Sequence, residues 1–143
     1  PTGLTSGAQT LLLPITGIMI LAAFCFKLSL APFHLWAPDV YEGAPVPVAG
    51  FLSVVSKTAA FAITIRLIQT VFPGVPGVTE TLLAIAAISM IWGNVAAAIQ
   101  PDLKRLLAYS TIAQAGYMAV GLIVGTNATL STLLFYLAGY LFT

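Results

Sequence analysis

Polar positions are rare along this chain and fall into a few short clusters. Between them lie apolar runs near residues 10 to 38, 46 to 72, 79 to 99 and 105 to 125, and another from 128 onward. The connectors, YEGAPVP, PGVPGV, PDLK and TNA, consist largely of residues that end helices. A hydrocarbon core about 30 Å thick takes about 20 apolar residues in helix, so the pattern predicts four full spans and a fifth begun. A strand reading fails because membrane strands need only about 9 to 11 residues and alternate in polarity, which these runs do not. The expected fold is an all-α polytopic transmembrane helix bundle, residues 1 to 143 forming a single transmembrane domain.

The first run is too long for one straight span. Its 29 residues would extend about 43 Å as α-helix. Pro32 has no amide to donate and its ring opposes the carbonyl of Leu28, so a break is expected between Lys27 and Pro32. In hydrocarbon such irregular backbone is tolerated only where it packs in protein or lines a hydrated cavity. Lys27 is placed to hydrogen-bond the freed carbonyls. Discontinuous helices with charged groups at the break recur in transporters, and a proline kink used only for packing is the plainer alternative.

A second lysine lies at similar depth. Lys27 and Lys57 each fall within about 5 Å of the middle of their runs, too deep to reach the surface easily. Each costs about 2.5 to 3.5 kcal/mol at the centre of a span, so both need a compensating environment. Ser53, Lys57, Ala60 and Thr64 form a narrow polar or small stripe that should face protein or water. Desolvation or a like-charged neighbour favours the neutral amine, and a nearby carboxylate favours the ammonium. Two such lysines beside a break suit proton relay. The competing reading is a pair of static ion pairs serving assembly.

Other candidates are weaker. His34, just past the break, titrates near neutral pH and is either a proton-passing group toward Lys27 or a packing residue. Ser110, Gln114 and Tyr117 share a face of the fourth span and either hold water or make ordinary interhelical hydrogen bonds. GLIVG at 121 to 125 permits close helix approach. Arg66 is near enough to an interface to snorkel. Asp39 and Glu42 are expected to cap the next helix, pair across to neighbours, or both. The loops at 39 to 45 and 100 to 104 must share one side of the membrane, with those at 73 to 78 and 126 to 127 opposite. Lys104 and Arg105 mark the first side as cytoplasmic, with Arg66 counting against it.

Composition narrows the function. Charged residues make up 6% of the chain, against about 25% in soluble domains. The net charge of +1 gives no field for nucleic acid. The single cysteine, Cys25, lies in an apolar run and is expected to be a packing residue. No charged leader and cleavage site flank the first run, and the apolar C-terminal stretch leads us to expect the central piece of a longer polytopic protein. No phosphate loop, metal-ligand spacing or dinucleotide fingerprint is readable. Any redox chemistry is therefore expected in another subunit.

The strings FKLSLAPFHLWAPDVYEGAPVPVAGFLSVVSK and QPDLKRLLAYSTIAQAGYM closely resemble the N-type antiporter-like subunits of bacterial NADH:quinone oxidoreductase, respiratory complex I, whose mitochondrial counterpart is subunit 2. The resemblance implies a fourteen-helix subunit of which this chain is helices seven to eleven. It implies a broken seventh helix whose lysine, matched by Lys27, belongs to a proton channel, and an eighth-helix lysine, matched by Lys57, as the connecting relay. Where many members carry a tenth-helix histidine, this chain has Gln114, which can order water without titrating. Two further channel elements of the family, a fifth-helix glutamate and a twelfth-helix lysine, fall outside the chain. The implied enzyme is a proton-translocating NADH:quinone reductase with no redox centre in this chain. NADH, flavin, iron-sulfur clusters and quinone belong to other subunits of its membrane and peripheral arms, and the implied location is the bacterial inner membrane, multi-pass. A multisubunit cation/proton antiporter is the runner-up, and a structural spacer the third reading.

Overall fold

The computed structural model describes residues 3–70, 77–124 and 127–141. Its elements are α1 (Gly3–Leu28), α2 (Trp36–Gly43), α3 (Val46–Phe51), a π-helical turn (Leu52–Ser56), α4 (Lys57–Thr70), α5 (Val78–Ala98), α6 (Leu103–Val124) and α7 (Asn127–Leu141), with no strand among the described residues. From α3 through α4 the chain is one helix, Val46–Thr70, and this helix, α5 and α6 are each long and apolar enough to cross a membrane. In α1 the stretch Pro14–Leu28 is apolar but shorter. The all-helical membrane class expected from the polar pattern is thus what these residues adopt. Most of the connector at 73 to 78, residue 126 of the next connector, and Gly125 of GLIVG lie outside the described residues.

Helix α1 stops at Leu28. Ser29 turns left-handed with φ 59°, a conformation that costs a serine backbone energy. Its N–H donates to Phe26 O at 3.0 Å and the Leu30 N–H donates to Cys25 O at 2.8 Å. These two bonds are the Schellman pair that closes a helix C-terminus. Trp36 adds a third bond, its Nε1–H donating to Phe26 O at 3.1 Å, with the Phe26 and Trp36 rings 5.6 Å apart. These bonds from backbone amides and an indole occupy the Cys25 and Phe26 carbonyls. Lys27, expected to serve them, is instead exposed on the outer face of α1.

The segment after α1 is anchored to α5. Ala31 donates its buried N–H to Ser89 Oγ at 2.8 Å, and that hydroxyl donates to Ile85 O at 2.6 Å. Ser89→Ala orphans the Ala31 amide in the core, a loss of about 1–3 kcal/mol. A lower unfolding temperature of the purified full-length assembly, restored by Ser89→Thr, is the expected result. An unchanged temperature would show that the amide finds another acceptor.

Helices α5 and α6 approach closely on small residues. Ala86, Ser89, Gly93 and Ala96 of α5 are buried, as are Ala108, Ala115, Gly116 and Ala119 of α6. A Cβ at Gly93 would lie 2.6 Å from Ala113 N, and one at Gly116 would lie 3.0 Å from both Ala86 O and Met90 N. Helices in lipid gain little from apolar burial and associate through such close contacts. Gly121, the described glycine of GLIVG, abuts α7, where a Cβ would meet Leu133 Cδ1 at 3.0 Å.

Residues 39 to 45, expected as a loop, lie mostly within α2, and they meet the start of α6. Arg105 Nη1 pairs with Asp39 Oδ1 at 3.2 Å and with Glu42 Oε2 at 2.7 Å. Lys104 Nζ donates to Glu42 O at 3.2 Å and Ala44 O at 3.1 Å, closing the C-terminus of α2. Both acidic residues therefore pair across to α6. Helix α3 begins after Pro45 with no side-chain cap.

Candidate functional site

Lys57 opens α4 immediately after the π-helical turn. An i→i+5 turn takes one more residue than an α-turn, so it resets the facing of every later side chain, and such turns concentrate at functional sites. The result is that Lys57, Ala60 and Thr64 all point inward and are buried. Ser53, the remaining member of the expected stripe, is half-buried, and its Oγ–H donates to Gly50 O at 2.8 Å.

Lys57 is 2% exposed. Its Nζ donates to Thr111 Oγ1 at 2.9 Å and to Thr111 O at 3.3 Å. The Thr111 hydroxyl in turn donates to Ala108 O at 2.8 Å. Arg105 forms the ion pairs recorded among the described residues, so Lys57 is held there by a hydroxyl and a carbonyl rather than by a carboxylate.

A cavity of about 640 Å³ adjoins this pair, between the α3 end of the long helix, α6 and α7. Its polar wall includes Tyr41, Ser53, Lys104, Ser110, Thr111 and Gln114. Lys57 is not part of the lining, and Thr111 belongs both to the cavity wall and to the lysine's hydrogen bonds. The Tyr41 hydroxyl is buried beside Thr111. Across the cavity Tyr136 O–H donates to Gln114 Oε1. Tyr117, expected on the same face as Gln114, turns to α5, where its hydroxyl accepts from Asn94 Nδ2 at 2.9 Å.

The expected site residues therefore divide. Lys57 and Gln114 come to opposite sides of the Thr111 wall of one cavity. Lys27 is exposed, so the lysines predicted to share a buried depth differ in environment within this chain. His34 is 6% exposed and sits in the segment after the break, its ring 6.1 Å from that of Trp92 in an edge-on contact. Its Nδ1 has no hydrogen-bond partner among the described residues, and the ring is not part of the cavity lining. Cys25 is buried in the core as a free thiol.

Sequence reasoning passed over Thr111, Tyr41, Ser89 and Trp36. Thr111 is one position beyond the Ser110 face, and only the rotation imposed by helix packing brings it onto Lys57. Trp36 carried a weak signal, since an indole N–H near a helix break has freed carbonyls to bind.

An all-helical membrane bundle that keeps an amine inside on neutral partners is of the class in which ionisable residues mark ion pathways. The chain belongs to the NADH:quinone oxidoreductase/Mrp antiporter transmembrane family, whose model matches residues 2–143. It is 53% identical over 135 residues to NAD(P)H-quinone oxidoreductase subunit 2 of Trichormus variabilis, covering 94% of this chain and 26% of that protein. With the subunit 2 of Picosynechococcus sp. it shares 51% over 137 residues, covering 95% and 26%. Among solved structures, a chain of respiratory complex I from Thermus thermophilus with bound aureothin superposes with a TM-score of 0.73. That match has 43% identity and covers 87% of this chain and 27% of the other. The chain spans about a quarter of the length of the curated relatives it matches.

Proposed function

We propose that the full-length protein is the proton-translocating antiporter-like subunit of an NAD(P)H:quinone oxidoreductase, with Lys57 as a relay site in its interior. The observation that carries this reading is a buried lysine bound, among the described residues, by neutral groups of Thr111 beside a cavity with several polar side chains on its wall. A lysine kept only for assembly would be expected on a carboxylate. Identity of 51–53% to subunits of this enzyme supports it over a cation/proton antiporter, which the family description also names. Co-purification of the full-length protein with iron-sulfur subunits would separate those two.

In this reading the chain supplies four full spans and part of a fifth in a longer subunit. The first span is discontinuous where α1 gives way to residues 29–35 and α2. Lys27, exposed on α1, faces further helices of that subunit and shares the relay. His34 and Gln114 are weaker members of the path, and Gln114 orders water from its bond with Tyr136. The loops clamped by Arg105 face the cytoplasm, and the membrane is the bacterial inner membrane, crossed several times. NADH, flavin, iron-sulfur clusters and quinone are handled by the partner subunits of the membrane and peripheral arms, and electrons do not pass through this chain.

The test is proton uptake into sealed vesicles measured against NADH:quinone turnover, for wild type, Lys57→Met and Lys27→Met in the full-length subunit. Assembly is checked on native gels. Pumping and turnover should fall together in assembled complexes. Normal pumping by an assembled Lys27→Met complex would make Lys27 a satisfied packing residue, and loss of assembly in both variants would favour the spacer.

A further inference from the structure

Lys57 and the cavity do not touch. The lysine is almost wholly enclosed, and the group with one side on its Nζ and the other on the cavity is Thr111. That threonine grips the lysine twice, by Oγ1 at 2.9 Å and by its main-chain oxygen at 3.3 Å. The second contact survives any substitution at 111, whereas the first needs a hydroxyl. The hydroxyl is also a rotor, since its hydrogen is now given to Ala108 O and rotation about Cβ–Oγ1 can aim it elsewhere. The buried Tyr41 hydroxyl stands beside it on the cavity wall.

We propose that Thr111 is a positioning residue for Lys57 and that its hydroxyl is the proton bridge between that lysine and the cavity. The inference rests on the relay reading of Lys57. In the step itself the ammonium of Lys57 passes one proton to Thr111 Oγ1 while the hydroxyl releases its own proton to a water molecule in the cavity. One N–H bond breaks and one O–H bond forms on the threonine, while a second O–H bond breaks and one forms on the water. A neutral amine and an intact hydroxyl are left behind. Rotation of the hydroxyl back to Ala108 O resets the bridge. A cavity of about 640 Å³ with several polar groups on its wall has room for water with adequate partners.

Two near-isosteric substitutions separate this role from packing. Thr111→Val keeps the shape and removes the hydroxyl, and Thr111→Ser keeps the hydroxyl and removes the methyl group. Both are made in the full-length subunit of the intact complex and read as protons pumped into sealed vesicles, with assembly checked on native gels. Thr111→Val is expected to lower pumping by about tenfold or more, the effect of losing one hydrogen bond to a charged group, and Thr111→Ser to retain most of it. Full pumping by assembled Thr111→Val overturns the bridge, as does equal loss in Val and Ser, which would assign the role to the methyl group. If Thr111→Val does not assemble, Thr111→Ala decides. Impaired pumping by assembled Ala with pumping Ser supports the bridge, and pumping Ala overturns it. Failure of both Val and Ala to assemble overturns it too, making the hydroxyl an assembly element. Lys57→Met in the same vesicles tells the two readings apart. Pumping retained there removes the relay itself, whereas pumping lost there with Thr111→Val intact removes only the bridge.

Discussion

Lys57→Met in the full-length subunit is expected to leave an assembled complex whose proton pumping has fallen on the order of 10²-fold, the usual contribution of one positioned proton-transfer group. Assembly should survive for a structural reason. Methionine nearly matches the lysine stem, and replacing a buried charge by an apolar group of similar volume is often neutral or stabilising. The partners left behind are also not stranded. Thr111 Oγ1 keeps its bond to Ala108 O, and the Thr111 carbonyl lies within α6, where the helix supplies a donor. Lys57→Glu is the contrasting case. It would set a carboxylate against the Thr111 carbonyl in a site built for a donor, so assembly should be lost along with pumping. Vesicle pumping, NADH:quinone turnover and native gels on both variants check the pair. Normal pumping by an assembled Lys57→Met complex would remove Lys57 from the proton path.

The sequence reveals the helices and their class because lipid leaves few alternatives, since apolar runs of this length must be helical. The end of α1 at Leu28 falls where Pro32 leads to the expectation of an interruption, but the local chemistry is not legible in the sequence. The expectation that Lys27 would bind the freed carbonyls treats the charge as the natural donor, whereas the chain closes them with the Ser29 and Leu30 amides and with Trp36. Local backbone donors are available without desolvating an ammonium, so they win. The burial of Lys57 follows from the stripe at 53, 57, 60 and 64. Its partner does not, because a single threonine one step off a polar face has no distinctive spacing. The π-helical turn that sets the facing of Lys57 is equally silent in LSVVS, which reads as ordinary helix. Lys27 shows the limit of depth as a criterion. Two lysines at similar positions along their runs differ in exposure because azimuth, set by packing, decides what each one faces.

Gly93→Ala is expected to cut the amount of assembled complex several-fold, although glycine to alanine within a helix ordinarily stabilises by about 1 kcal/mol. The steric term reverses the sign here. The added Cβ would lie 2.6 Å from Ala113 N and 3.0 Å from Ala113 Cα, and neither atom can turn aside as a flexible side chain would. Relief requires α5 and α6 to separate, and overpacking of this kind costs about 1–3 kcal/mol. Close approach is much of what holds helices together in lipid, so the loss extends along the interface. Gly93→Leu should abolish assembly. The effect reaches both the segment after Leu28 and Lys57, because α5 carries Ser89, which accepts from Ala31, and α6 carries Thr111, which holds Lys57. Gly43→Ala is the control. No atom lies within 4 Å of a Cβ placed there, so that variant should assemble as wild type does. Native-gel quantification of the three variants in parallel checks the argument. Normal assembly of Gly93→Ala would mean that the two helices separate at no cost, and that the α5–α6 contact is not what positions the Lys57 site.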